Sequence, residues 1–125
     1  MADGGFTMSG RGALRAAPQI GAMDVTAAIA VSGLTTASTR LKVSASNVAN
    51  MDDSGPQPFV PTRVAMVSLP SGGVRAQLSA APPGAGVDLA GELVDQMMAM
   101  QQYKASAALI AADDRLQKST MDLLG

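Results

Sequence analysis

Few residues of this chain could do chemistry, because histidine and cysteine are both absent from its 125 residues. These two residue types supply the commonest general bases, nucleophiles and soft metal ligands. The remaining candidates are carboxylates, and Asp88, Glu92 and Asp95 are spaced so that they share one face of a helix. Such a trio more often forms a solvated face near the positive end of a helix than a site for a hard cation. We therefore predict no catalytic residue, no metal site and no cofactor.

One further pattern and the composition narrow the range of possible functions. The segment Ser71-Gly72-Gly73 lacks the lysine and the following helix of a phosphate-binding loop. With one tyrosine, two phenylalanines, no tryptophan and a net charge of −1, the chain offers neither a stacking surface nor a basic field for nucleic acid. The sequence thus argues against an enzyme and against a nucleic-acid-binding protein.

Residues 87–125 are predicted to form the longer of two helices. Pro82, Pro83 and Gly84 punctuate the chain before this segment, and Asp88 is placed to cap its first turn. One apolar stripe, in steps of three and four, consists of Leu89, Leu93, Met97, Met100, Tyr103, Ala107 and Ile110. A second series on another face consists of Leu109, Leu116 and Leu123. Methionines in such a stripe are typical of helix packing. A helix with two apolar faces needs partners beyond one neighbouring helix.

Residues 24–50 are predicted to form the second helix. Its apolar seam consists of Val31, Leu34, Ser38, Leu41, Ala45 and Val48, which alternate in steps of three and four. Between the helices, residues 51–86 predict a loop and a small β-hairpin that turns at Pro70-Ser71-Gly72-Gly73. Residues 1–23, rich in glycine and alanine, are predicted to be a mobile tail. The predicted fold is mainly α: two long helices in an antiparallel, coiled-coil-like hairpin, with the β insertion at one end.

The sequence gives three indications about localisation and stability. The first residues have no continuous apolar core of the length that a cleaved secretory signal needs. No segment is long and apolar enough for a predicted bilayer span of roughly 20 residues. Large core-filling side chains are scarce. We therefore expect a chain without a direct membrane span that is weakly stable alone and gains stability through association.

Two segments resemble the flagellar basal-body rod and hook family. The family's first helix ends in a motif of the form Ser-Ala-x-Asn-(Val/Ile/Leu)-Ala-Asn, carried here by Ser44, Ala45, Asn47, Val48, Ala49 and Asn50. The family's carboxy-terminal signature is carried by Val87, Asp88, Glu92, Leu93, Val94, Tyr103, Ala105, Ile110, Asp114 and Leu116. The short middle segment is similar to that of proximal-rod members of class C (FlgC-like). The resemblance covers residues 24–124.

The resemblance implies a structural subunit of the periplasmic drive shaft, which transmits torque. It implies export by the flagellar type III apparatus without a cleaved signal peptide, and polymerisation with copies of itself and with other rod subunits. The predicted subunit-interface residues are Val31, Leu34, Leu41, Asn47, Val48, Asn50, Leu93, Met97, Met100, Tyr103, Ile110, Leu116 and Leu123.

Two alternatives remain open at this point. A soluble or secreted helical-hairpin adaptor or dimer with no flagellar role explains the two helices but not the asparagine motif. A stable, discrete dimer at low concentration would favour that alternative. Another member of the rod family is the second alternative, since the proximal-rod members share both end signatures and differ in the middle segment.

Overall fold

Two long helices and one β-hairpin make up the computed structural model, which describes the backbone of residues 2–125 and the side chains of residues 25–125. The elements are helix α1 (Ala2–Ala49), strand β1 (Thr62–Ser68), strand β2 (Val74–Ala80) and helix α2 (Leu89–Leu124). The predicted fold, mainly helical with a small antiparallel hairpin between the helices, is confirmed. Helix α1 begins before residue 24, where the sequence predicts its start. The side chains of the predicted tail, residues 1–23, are outside the described part of the chain, and the mobility of the tail stays a prediction.

Helix α1 ends in a set of local hydrogen bonds at Asn50. The backbone N–H of Asn50 donates to the Ser46 carbonyl at 3.1 Å, and its side-chain Nδ2 donates to the same oxygen at 2.8 Å. The Met51 N–H then donates to the Val48 carbonyl at 3.3 Å. These bonds satisfy carbonyls that lose their partners where a helix stops. The loop of residues 51–58 that follows is exposed throughout.

Helix α2 begins after Asp88, as predicted. The Asp88 side chain, however, does not cap the helix in the ordinary way. The Asp88 backbone is extended, with φ −91° and ψ 99°, but its side chain makes no capping hydrogen bond. A Cβ atom on Gly91 would lie 2.8 Å from the Asp88 carboxylate, so the glycine leaves room for the carboxylate beside the first turn. A carboxylate at this position stabilises the helix through the free N–H groups of the first turn.

The two helices pack antiparallel through small side chains. Ala37 and Ala99 are both 0% exposed, and Gly33 lies against Ser106. Among the residues with described side chains, the buried hydrophobic ones are all alanines: Ala30, Ala37, Ala81 and Ala99. The helix–helix seam therefore brings the two backbones close together but buries little apolar area.

The β-hairpin has a regular register and a glycine turn. Antiparallel pairing runs from Thr62 opposite Ala80 to Ser68 opposite Val74. Gly72 and Gly73 have φ values of 91° and 88°, in the left-handed region that side-chain-bearing residues disfavour. This turn is where the sequence predicts it.

The hairpin starts at the end of the helical pair where α1 stops, and from there it lies along α1. Its base is fixed near the end of α1, where the Thr62 N–H donates to Asn47 Oδ1 at 2.9 Å. Its turn reaches back along the helix, where the Val74 N–H donates to Ser32 Oγ at 3.1 Å and Thr36 Oγ1 donates to the Val74 carbonyl at 3.4 Å. Serine and threonine hydroxyls of α1 thus bind backbone groups of β2, and periodicity alone does not reveal such contacts.

We predict that Gly33→Ala lowers the stability of the protomer and that Ser106→Ala reverses this effect. A Cβ atom on Gly33 would lie 2.5 Å from Ser106 Oγ but 3.6 Å from Ser106 Cβ, which is an ordinary contact. Alanine gains about 1 kcal/mol over glycine in a helix, whereas overpacking costs about 1–3 kcal/mol.

The measurement is thermal unfolding followed by circular dichroism across the double-mutant cycle. In the Ser106→Ala background, Gly33→Ala should be neutral or stabilising. Equal effects of Gly33→Ala in both backgrounds would contradict the close approach.

Candidate subunit interface

A buried amide joins three elements of the protomer. Asn47, near the end of α1, is 2% exposed. Its Nδ2 donates to the Thr62 carbonyl at 2.9 Å and to Glu92 Oε1 at 2.8 Å, while its Oδ1 accepts from the Thr62 N–H. One side chain thus uses both amide hydrogens and its oxygen to hold the start of β1 and the first turn of α2 against α1.

Two more residues extend this network along the helix–helix seam. Ser44 Oγ donates to the Glu92 carbonyl at 3.1 Å and accepts from Gln96 Nε2 at 3.1 Å. We call Ser44, Asn47, Thr62, Glu92 and Gln96 the Asn47 cluster. Among the residues with described side chains, no buried side-chain nitrogen or oxygen lacks a hydrogen-bond partner. A fully satisfied polar cluster fixes the register of the two helices, because a shift would leave buried groups unpaired.

A polar cleft opens beside this cluster. It has a volume of about 350 Å³ and lies between β1, α1 and the first turns of α2. Arg40 lies along one side of the cleft. Its Nη1 donates to Gln102 Oε1 at 3.1 Å, and its Nη2 lies 3.9 Å from Asp95 Oδ1. Three acidic residues line the cleft, Asp88, Glu92 and Asp95. No group of histidine, cysteine, aspartate or glutamate in the described part of the chain could hold a metal ion.

Large apolar side chains lie on the outside of the helical pair. Leu93, Met97, Met100 and Tyr103 of α2 are exposed, Met97 to 63%. Leu41 of α1 joins Met100 and Tyr103 in one apolar groove. Leu34 and Val48 step by seven from Leu41 and share its side of α1. We call this surface the first apolar face; its members are Leu34, Leu41, Val48, Leu93, Met97, Met100 and Tyr103.

A second exposed apolar series follows the opposite flank of α2. We call it the second apolar face; its members are Val94, Met98, Leu109, Leu116 and Leu123, all of them exposed. Gln101, which is exposed, lies between the two faces on the outward side of the helix. Lys104 is also exposed and lines the groove of the first apolar face. The small-residue seam containing Ala99 and Ser106 separates the two faces on the inward side. Helix α2 therefore presents two apolar flanks that the protomer itself does not cover.

The predicted interface residues fall into three groups by their exposure in the protomer. Those lying on the exterior are Val31, Leu93, Met97, Met100, Tyr103, Leu116 and Leu123. Those that are half-buried are Leu34, Leu41, Val48, Asn50 and Ile110. Asn47 is buried, and its side chain is engaged inside the protomer. For all of them, contact with another subunit stays a prediction.

Sequence reasoning missed the Asn47 cluster, although a signal for it existed. Ser44, Asn47 and Glu92 are all quoted motif residues, yet their meeting was not predicted. In an antiparallel pair, the end of the first helix faces the start of the second, so Asn47 and Glu92 are natural partners. The exact partners depend on the register, and the small residues of the seam set that register.

Substitution of Asn47 should destabilise the protomer far more than substitution of Asn50. Asn47→Ala removes the partner of the Thr62 N–H and of the Glu92 carboxylate, which are both half-buried. An unsatisfied group costs about 1–3 kcal/mol when it is fully buried, and less when water reaches it. Asn50→Ala is the matched control, since the Asn50 side chain bonds only to Ser46 of its own helix. The check is the melting temperature of each variant, and equal shifts would contradict the assigned role.

Asn47→Asp tests the same contact through charge. The variant sets a second carboxylate against Glu92 and removes the donor to the Thr62 carbonyl. At pH 7 it should therefore unfold at a lower temperature than Asn47→Ala. The deficit should shrink in a Glu92→Gln background, where the new carboxylate faces a neutral amide. An equal deficit in both backgrounds would exclude repulsion between the two carboxylates as its cause.

Family models match both helical ends of the described chain. The model for "Flagella basal body rod protein" matches residues 28–57, which include the Asn47 motif. The model for "Flagellar basal body rod FlgEFG protein C-terminal" matches residues 84–123, which include Glu92 and both apolar faces of α2. No curated protein matches the chain. No described helix carries a run apolar and long enough to cross a bilayer.

The two matches do not overlap, and together they cover more than half of the 125 residues. They fall on the two helices that the Asn47 cluster ties together. The chain therefore belongs to the flagellar basal body rod protein family, whose members are structural components of the basal body.

Proposed function

We propose that this protein is a proximal-rod subunit that polymerises through the outer faces of its two helices. The observation that carries this proposal is the reversal of the usual burial pattern. The buried hydrophobic side chains among the described residues are alanines, while leucines and methionines of α2 lie outside. Exposed apolar surfaces larger than a few hundred Å² mark interaction sites in soluble proteins. Subunit neighbours on both flanks of α2 would bury these side chains.

The placement of the two apolar faces supports a closed arrangement of helices rather than a simple dimer. A dimer with one two-fold axis covers one patch on each copy. Here the first apolar face includes Met97 and the second includes Met98, and exposed Gln101 lies outward between the two. A helix with a neighbour on each flank and one polar strip facing outward suits the wall of a tube.

The middle segment supports a proximal-rod position. Between α1 and α2 the chain holds only the exposed loop of residues 51–58, the two strands and a short linker. Since this segment adds one hairpin and no further domain, it matches the class C resemblance. Export by the type III apparatus and a location in the periplasmic part of the rod belong to the same proposal.

Composition of purified basal bodies tests the proposal directly. Basal bodies that resist detergent should contain this chain at several copies per particle when they are examined by mass spectrometry. Deletion of its gene should stop rod assembly and motility. Absence from the particles, with the protein abundant as a dimer in the soluble fraction, would instead favour a helical-hairpin adaptor.

Charge introduced on either apolar face should block assembly while the protomer keeps its fold. Leu93→Asp changes the first face and Met98→Asp the second, and both side chains are about half exposed in the protomer. An aspartate buried at a contact between subunits costs several kcal/mol. We expect loss of incorporation into basal bodies for each variant.

Gln101→Asp is the matched control, because Gln101 is exposed between the two faces and the charge change is the same. Its incorporation should equal that of the wild type. Circular dichroism of all three variants checks that helix content is preserved. Normal incorporation of Leu93→Asp and Met98→Asp would show that the faces are not subunit contacts.

A further inference from the structure

The loop after α1 carries negative charge without any compensating base. Residues 51–58 contain Asp52 and Asp53 and no lysine or arginine, and every one of them is exposed. Asp53 Oδ1 accepts only a local bond of 3.3 Å from the Gly55 N–H. Asp52 forms no hydrogen bond or ion pair within the described side chains. The two prolines of the loop, Pro56 and Pro58, offer apolar rings but no N–H donors.

The outer face of the β-hairpin carries the opposite charge. This face, pointing away from α1, consists of Arg63, Ala65, Val67, Arg75, Gln77 and Ser79. Residues 62–80 contain two arginines and no acidic residue. Neither arginine forms a hydrogen bond or an ion pair within the described residues. Ala65 and Val67 form a small apolar surface between the two arginines.

The acidic loop and the Arg75 end of the outer face lie towards opposite ends of the protomer, whereas Arg63 lies at the base of the hairpin and lines the polar cleft. The loop follows the end of α1, whereas Arg75 follows Val74, which is bonded to Ser32. The 18 residues of α1 between Ser32 and Asn50 span about 27 Å at 1.5 Å per residue. The acidic loop therefore lies far from the turn end of its own hairpin. A second copy displaced along the helix direction brings the two surfaces together.

We propose that the acidic loop of one copy docks on the arginine-bearing outer face of the β-hairpin of the next copy. The inference rests on the proposed function and adds the axial contact to it. Two different patches of the same chain meet in a head-to-tail contact, and repetition of such a contact generates an open helical array rather than a closed dimer. Charge complementarity sets the polarity of the array, since two loops or two hairpin faces repel each other.

A pair of engineered cysteines tests the contact without changing its charges. Ser54 lies in the loop and Gln77 on the outer face, and the natural chain has no cysteine. Full-length protein carrying Ser54→Cys and Gln77→Cys should form a ladder of disulfide-linked multimers under mild oxidation. A ladder distinguishes a head-to-tail contact from a symmetric one, which stops at dimers. Ser54→Cys with exposed Ser119→Cys is the control pair and should give no ladder.

Charge reversal provides an independent measurement. Asp52→Arg with Asp53→Arg, or Arg63→Asp with Arg75→Asp, should reduce incorporation into basal bodies roughly tenfold, in line with the loss of exposed ion pairs. All four changes in one chain should restore incorporation. Lys42→Asp with Arg115→Asp is the charge-matched control, because both side chains are exposed and neither contacts another element of the protomer, and it should keep incorporation near that of the wild type.

The possible results separate this inference from the proposed function. If the wild-type chain is present in basal bodies, but the cysteine pair gives no ladder and charge reversal has no effect, the axial contact is wrong and the rod function stands. If purified protein forms the ladder but the chain is absent from basal bodies, the head-to-tail contact stands and the rod function is wrong.

Discussion

The close approach of α1 and α2 is the constraint on which the rest of the protomer depends. Gly33 against Ser106 and the fully buried pair Ala37 and Ala99 allow the helices to pack without large side chains between them. Small side chains bury little apolar area, so they contribute little hydrophobic free energy. The seam therefore determines the geometry of the pair but provides a weak core. The leucines and methionines, excluded from the seam, must lie on the outer faces.

The Asn47 cluster supplies what the small-residue seam lacks. A stripe of alanine, glycine and serine could slide by one helical turn at little cost, because its members are alike. Asn47 prevents this by bonding Thr62 and Glu92 at once, and Ser44 adds a bond to the Glu92 backbone. Displacement of α2 would leave a buried amide and a carboxylate unsatisfied. Polar contacts thus specify the register, and contacts with neighbouring subunits supply the remaining apolar burial under our proposal.

The sequence predicted the elements well because their signals are local. The 3.6-residue periodicity of α2, Asp88 at its start and Gly72-Gly73 at the hairpin turn all depend on neighbours in the chain. Which face of α1 packs on α2 was less predictable. The sequence predicted a contact surface that contains large residues such as Leu34 and Leu41. In the structure, the surface of α1 that packs on α2 lies beside it. Periodicity assigns large apolar residues to the interior, and this protomer places small ones there.

The position of the hairpin and the partners of Asn47 required long-range information. The bonds from Val74 to Ser32 and from Thr36 to Val74 join residues about 40 positions apart. Polar side chains on a helix surface give no sequence pattern that distinguishes such a contact from solvation. The same is true of Asn47 and Glu92, whose pairing depends on the register of two helices. Motif residues indicated where a constraint lay but not which atoms satisfied it.

One physical cause links the weak interior to the proposed assembly. If the large side chains of α2 filled the seam, the protomer would be more stable alone and its outer flanks would be polar. Instead, Leu93, Met97 and Met98 remain in water until a neighbour covers them, so ordering and association draw on the same apolar area. Under our proposal, a chain of this kind is easily unfolded while single and becomes rigid in the array. Both properties suit a part that is delivered as separate chains and then bears load as a polymer.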